Sequence, residues 1–428
     1  MSSATSDATA SCPRSAARTS AGIRAASFAL DASIVAALLA ASSAPTPLYP
    51  VYQDQWGLSA LTVTVVFSAY SLTLLVALLT AGALSDHLGR RPVLVGALLM
   101  EAASMLLLAS ADGAGPLVAA RILQGAATGA ATSAAGAALL DLEDPRRPGR
   151  SALTNSIAPV VGMAAGVLAS TLLVRYVPAP TATVYVLLAA LFTAQSIAVV
   201  RTPETAHPHP GALRSLRPRL AVPTSARRAL PAVGAGVAAV WALGGFYSSL
   251  GPALVRLVAP GAPHALAGMV FFVVSATAAL TVWTLRGTAP LAAATGGTLV
   301  VIPSTALSVL GLHGAGLTAV YSGAALAGIA FGAVSQGALR MMLTSLDGGD
   351  RAATLAAYYV LSYLSMSLPA IAAGAATQRF GLRTTSLTYA LAAALLAVAA
   401  AAALTVSRRR QRSPRPGARH STADDRLR

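Results

Sequence analysis

Runs of about 20 apolar residues recur almost end to end along this 428-residue chain, and that repetition limits its fold more than any other feature. A run of that length crosses the hydrocarbon core of a bilayer. No water reaches the backbone there, so only helices and closed barrels can span. Barrel strands alternate apolar and polar residues, whereas these runs are continuously apolar and predict helices. Read in order, they fall near 26–49, 59–84, 92–111, 116–140, 151–174 and 181–200, then 231–255, 265–285, 290–312, 317–343, 353–377 and 385–406. Between the two sets, Thr202 to Ala229 holds five Arg with interspersed Pro and His. It reads as a basic, Pro-stiffened linker. The expectation is an all-α membrane protein whose twelve transmembrane helices form two six-helix, pseudo-symmetric halves. Its parts would be a disordered cytoplasmic tail (1–25), a bundle (26–201), the linker (202–230), a second bundle (231–406) and a basic tail (407–428).

Charge then decides the class of partner. The net charge is +16 and every one of the thirty cations is Arg. With the amino terminus cytoplasmic, about 25 of them fall in tails and cytoplasmic loops, and only Arg175, Arg256, Arg379 and Arg383 fall outside. That asymmetry is the positive-inside rule, so the basicity reflects topology and no nucleic-acid partner is expected. Both termini are placed in the cytoplasm of a multi-pass protein of the cell membrane, the basic tail drawn to anionic lipid. The one cysteine, Cys12, excludes a disulfide within the chain. The segment around Arg14, Arg18 and Arg24 lacks the short apolar core and cleavage site of a signal peptide. Tyr49, Tyr52 and Trp56, after the first run, suit a membrane interface.

Between the second and third runs lies Gly82-Ala-Leu-Ser-Asp86-His-Leu-Gly89-Arg90-Arg91-Pro92, a knot of charge in a chain that is 10% charged. It resembles the loop signature of the major facilitator superfamily, G-x-L-x-D-x-x-G-R-R/K, with every defining position present. The resemblance implies the major facilitator fold. It also implies a conformational latch made of Gly82, Asp86, Gly89, Arg90 and Arg91, with Asp86 docking on the start of span eleven, near Ala352. The corresponding loop of the second half, Leu285-Arg286-Gly287-Thr288-Ala289-Pro290, keeps Arg, Gly and Pro but no acid.

Arg121 lies inside the fourth run, with Gln124 and Thr128 on the same helical face. Charges inside a bilayer are rare and face a cavity or a partner. Arg121-Ile-Leu-Gln124-Gly125 resembles the family's fourth-helix motif R-x-x-x-G, which implies a role in proton transfer. Asp31 and Glu101 are the only acids well inside spans. Burial disfavours a charged carboxyl and a nearby Arg favours it, so either acid suits proton coupling, and the fold's lining of its cavity by first spans points to Asp31. The Gly125/Gly129, Gly162/Gly166 and Gly328/Gly332 pairs read as close helix packing. The family's antiporter motif on span five is matched only at Pro159 and Gly162, which leaves the direction of transport open.

Cavity positions are sought at Tyr70, Gln124 and Asn155 in the first half, and at Trp241, Tyr247, Gln336, Tyr358, Tyr359 and Tyr363 in the second. Such a pocket has few fixed charges and suits small amphipathic solutes. His207-Pro-His209 is too isolated for a metal site, no phosphate-binding loop appears, and no enzyme or cofactor is expected. The expectation is a monomer that exports small amphipathic compounds in exchange for protons across the lipid bilayer by alternating access. Proton-linked uptake and a non-transporting sensor or scaffold are the alternatives.

Overall fold

The computed structural model describes residues 14–206, 208–216, 224–343 and 351–412. Among them every regular element is helical. The chain begins with α1 (Arg14–Ser43), a short turn (Thr46–Leu48) and α2 (Tyr49–Trp56). Next come α3 (Ala60–Ala81), α4 (Leu84–Leu88), α5 (Arg90–Ala109), α6 (Ala114–Asp141), α7 (Arg150–Tyr176) and α8 (Pro180–Val200). A single turn in the linker, α9 (Ala212–Ser215), precedes α10 (Thr224–Ser249), α11 (Gly251–Val258), α12 (His264–Thr284), α13 (Pro290–Leu310), α14 (Gly316–Leu343) and α15 (Arg351–Arg412).

Eight helical stretches are long and apolar enough to cross a membrane, nine if Val233–Ser249 and Gly251–Val258, bent by 64°, count as one span. Two of the eight, Pro290–Met342 and Ala353–Thr405, run for 53 residues each. The first is broken where His313 and Gly314 leave helical geometry. The second is broken at Gly381, whose φ of 76° is open to glycine but strained for other residues.

Helices overrun the expected tails. The structure starts α1 at Arg14 instead of near 26, α10 at Thr224 instead of near 231, and continues α15 to Arg412. Ala and Arg are strong helix formers, so the helix continues past the end of the apolar run. Tyr49 and Tyr52 also depart from the expected interfacial belt. They are 2% and 1% exposed, because α2 folds back onto the bundle. The Tyr52 hydroxyl there donates to Tyr185 at 3.0 Å, and its ring stacks on Trp56 at 4.7 Å.

Buried apolar side chains form two clusters. One is drawn from residues 28–199 with Ala370, the other from 233–404 with Val167. Between lipid-facing helices there is no hydrophobic drive to associate, so packing depends on close approach. A Cβ at Gly162 would lie 2.8 Å from the Ala36 carbonyl carbon, and one at Gly166 would lie 2.6 Å from that of Ala40. Gly125/Gly129 face α3 and Gly328/Gly332 face α12 in the same way. Replacing Gly162 by Val is expected to force α1 and α7 apart at a cost of about 1–3 kcal/mol. Gly96→Val, a position with nothing within 4 Å, is the control. Thermal melting of the detergent-solubilised protein should drop clearly more for the first variant.

Candidate functional site

A cavity of about 100 Å³ lies between the two clusters. Tyr70, Trp241 and Tyr363 line it, as the sequence reading anticipates, joined by Phe67, Phe271 and Phe331. Met163 and Met366 supply flexible wall, and Ser42, Ser43, Ser248 and Ser275 supply hydroxyls. No charged residue is among its lining. Pockets that hold drug-sized ligands measure roughly 300–1,000 Å³, so this is a constricted pocket whose walls must give before it accepts such a molecule.

Behind Tyr70 runs a chain of polar groups with no solvent exposure. Arg121, Gln124, Thr128 and Glu101 are all 0% exposed. The spacing of the first three puts them on one face of α6. Arg121 Nη1 donates to Gln124 Oε1 at 2.6 Å and to the Ser42 carbonyl at 3.2 Å. The guanidinium carbon stands 4.3 Å from the centre of the Tyr70 ring, a cation–π contact strengthened by the absence of water. Thr128 donates its hydroxyl to Glu101 Oε1. Arg121 Nε and Nη2, and Glu101 Oε2, have no hydrogen-bond partner. Asp31 is also buried, at 5% exposure, but it stands about 16 Å along α1 from Ser42 at 1.5 Å per residue. The structure brings Glu101 and Arg121 together and keeps Asp31 apart.

Other expected cavity residues lie elsewhere. Tyr247 lines a smaller cleft and bonds Ser308 at 2.6 Å. Asn155 ties α7 to α6 by donating to the Gly136 carbonyl at 3.3 Å. Tyr358 and Tyr359 stand behind Trp241 in an aromatic cluster, Tyr358 6.5 Å from the Trp241 ring and 5.7 Å from Tyr359. Gln336 is half-buried on α14 outside the lining, and Gln124 serves Arg121 instead of the pocket.

The signature loop is organised by partners that the sequence reading missed. Asp86 pairs with Arg90 four residues on, and Arg90 also reaches Asp141 at 3.3 Å and Ser85 at 2.7 Å. Gly89, at φ 102°, turns the chain into α5. The exposed first N–H groups of α5 are taken by Glu204 of the linker. Arg90 N–H donates to its Oε1 at 2.8 Å and Arg91 N–H to its Oε2 at 3.0 Å. A carboxylate suits the positive end of a helix. Around it Thr205 donates to Asp141 at 3.0 Å, and His209 N–H to the His87 carbonyl at 3.2 Å. The start of the linker is thus stapled to the loop. The expected docking of Asp86 on the start of span eleven concerns a stretch, 344–350 and the side chains of 351 and 352, outside the described residues.

At the other end of the molecule the two clusters are joined directly. Asp54 accepts from Arg256 at 3.0 and 3.1 Å and contacts His264 at 2.8 Å. Gln378 donates to Ser59 at 3.0 Å, and Ser71 and Ser367 share a hydrogen bond at 2.8 Å. Between described residues, the side-chain hydrogen bonds and ion pairs that bridge the clusters lie from this end down to Ser71, about half-way along α3.

Burial alone would raise the Glu204 carboxyl, but N–H groups of Ala206, Arg90, Arg91 and Thr205 outweigh it and hold the group below its ordinary value. A depressed carboxyl contributes above its free value of about 4.3 and ceases to as pH falls through its folded value. Spin labels at the exposed positions Leu88 and Leu213 report the staple. Glu204→Gln should lengthen and broaden their separation at neutral pH. Wild type should do so only in acid, below the free carboxyl value. The contact is of the order of 0.3–1 kcal/mol for an exposed helix start.

The comparisons agree with this architecture. The family model described as Major Facilitator Superfamily matches residues 32–320. A bacterial homologue of the human lysosomal transporter Spinster, solved inward-facing and unoccupied, is similar at 14% identity and a TM-score of 0.73 over 92% of this chain and 99% of that one. The POT family transporter PepTSo gives 11% identity and 0.71, covering 90% and 98%. The human organic anion transporter MFSD10 gives 18% and 0.62, covering 87% and 99%. Comparison with curated proteins finds no match. The family model spans more than half of the sequence, and the chain therefore belongs to the Major Facilitator Superfamily, a membrane transport protein and not an enzyme.

Proposed function

We propose that the protein is a proton-coupled exporter of small amphipathic compounds working by alternating access. The observation that carries this reading is the uncharged aromatic cavity between the two clusters, with a buried acid and a buried Arg directly behind its wall. Aromatic and Met walls with a few hydroxyls take apolar solutes of varied shape. The absence of charge from the lining disfavours polyanions. Proton coupling falls to Glu101 and Arg121, with Asp31 a second buried acid set apart from them.

Twelve crossings in two six-helix halves follow if the two 53-residue stretches each cross twice, α10 with α11 crosses once, and α6 crosses despite its polar face. The signature loop, the linker and both termini are then cytoplasmic, the Asp54 clasp faces outward, and the conformation is inward-facing. The chain acts as a monomer in the cell membrane.

The experiment is ethidium accumulation in cells expressing wild type or Arg121→Ala, with and without a protonophore. Export gives lower accumulation that rises severalfold with protonophore and is lost in the variant. Accumulation above the empty control means uptake and overturns the direction; no difference overturns transport of this class. A second expectation concerns the outer end. Asp54→Asn loosens the closure, so a Cys introduced at Ser248 should react faster with an impermeant maleimide added outside than it does in the parent.

A further inference from the structure

We propose that Tyr70 is a positioning residue that holds Arg121 and Glu101 apart until a solute enters the cavity. The inference rests on the proton-coupled reading above and adds the device that couples solute to proton. Arg121 and Glu101 lie within electrostatic reach of each other, yet among the described residues no ion pair joins them. Both are completely buried, and each keeps unused hydrogen-bonding capacity: Nε and Nη2 on one, Oε2 on the other. Uncompensated charge in a dry interior is costly. A buried guanidinium and a buried carboxylic acid, each half-satisfied, are arranged to close into an ion pair once whatever separates them moves and the acid gives up its proton.

Tyr70 separates them. Its ring covers the guanidinium. Its hydroxyl lies beside Thr128, the donor to Glu101, and Ser42, whose carbonyl holds Arg121, without reaching hydrogen-bond geometry to either. The groups facing Glu101 are accounted for on each packed element. α6 presents Arg121, Gln124 and Thr128, and α3 presents Tyr70. On α8 the buried Tyr185 is turned to Tyr52. α3 and α6 pack closely through Gly125, where a Cβ would lie 3.0 Å from Leu74 N, so the smallest release is rotation of a side chain. That side chain is Tyr70. It is also cavity wall, and the cavity is too small for a drug-sized solute unless its wall yields.

Solute entry thus turns the Tyr70 ring off the guanidinium, and Arg121 reaches Glu101 Oε2. The O–H bond of the Glu101 acid breaks, its proton passes to cavity water, and the carboxylate pairs with an Arg121 that keeps its own protons. Solute departure returns Tyr70, parts the pair, and a proton from water re-forms the acid. One proton leaves Glu101 for each solute that enters.

The test uses the purified full-length chain in detergent, weakly buffered with a pH-indicator dye, with ethidium as the probe. Wild type should release protons in step with ethidium binding, and Glu101→Gln should release none. Tyr70→Ala should bind with proton release lost, its pair being already closed, and Tyr70→Phe, which keeps the ring, should restore release. If Tyr70→Ala is not monodisperse, Tyr70→Leu decides in its place. Release from Tyr70→Ala or Tyr70→Leu equal to wild type per ethidium bound, or failure of Tyr70→Phe to restore it, overturns the separator while antiport stands. Wild type that neither binds ethidium nor moves it against a pH gradient in proteoliposomes overturns the antiport reading itself.

Discussion

A guanidinium with no contact with solvent, on a helix otherwise built mostly of Ala, Gly and Thr, is the constraint around which the first cluster is arranged. Such a group is tolerated in a membrane interior only where neighbours replace its hydration. Arg121 draws Gln124 from its own helix, the Ser42 carbonyl from α1 and the Tyr70 ring from α3. Three helices are thereby fixed to one charge. The small residues of α6 follow from the same requirement, because long side chains there would hold α3 beyond reach of the Arg. The cavity in turn borrows its wall from this arrangement, since Tyr70 cannot both cover Arg121 and leave the pocket.

How far these features can be read from sequence depends on whether their cause is local. Within the signature loop the Asp86–Arg90 pair and the Gly89 turn are legible because their cause lies within eleven residues, whereas its partners Glu204 and Asp141 are not. That Arg121, Glu101 and Asp31 are buried is legible, because a charge in an apolar run calls for a partner or a cavity. The choice between Asp31 and Glu101 as the acid beside Arg121 is not, since it depends on how the helices face. The cavity lining is mostly not legible. In lipid an apolar side chain is equally at home facing the bilayer or a pocket, so nothing in the composition of their runs separates Tyr363, which lines the cavity, from Tyr247, which does not. Facing is settled by how the two clusters meet, which is long-range information. Phe67, Met163 and Met366 were missed for the same reason.

Glu204 and Asp54 escaped for a different one. An acid in a polar linker or in a short connecting helix has the sequence profile of a solvated residue. Only the folded chain shows Glu204 on the first N–H groups of α5, or Asp54 between Arg256 and His264. The helix ends were misjudged because hydropathy reports where lipid stops, not where a helix of Ala and Arg stops.

Among the described residues, the two ends of the molecule are held by interactions of unequal kind, and that inequality suits the alternating access proposed above. At the signature-loop end, among the described residues, the linker is fixed to its own cluster, and the contacts seen there steady one body. At the opposite end the clusters are tied together, but by half-exposed ion pairs and single hydroxyl contacts. Exposed pairs contribute about 0–1 kcal/mol each. A handful of them can favour one conformation without trapping it, and a solute with a modest preference for the other state can then shift the population. A buried, fully paired clasp at that end would leave the closed form too stable to leave. In the coupling proposed above, a buried Arg121–Glu101 pair in the middle can be strong, because the Tyr70 ring sets whether it forms.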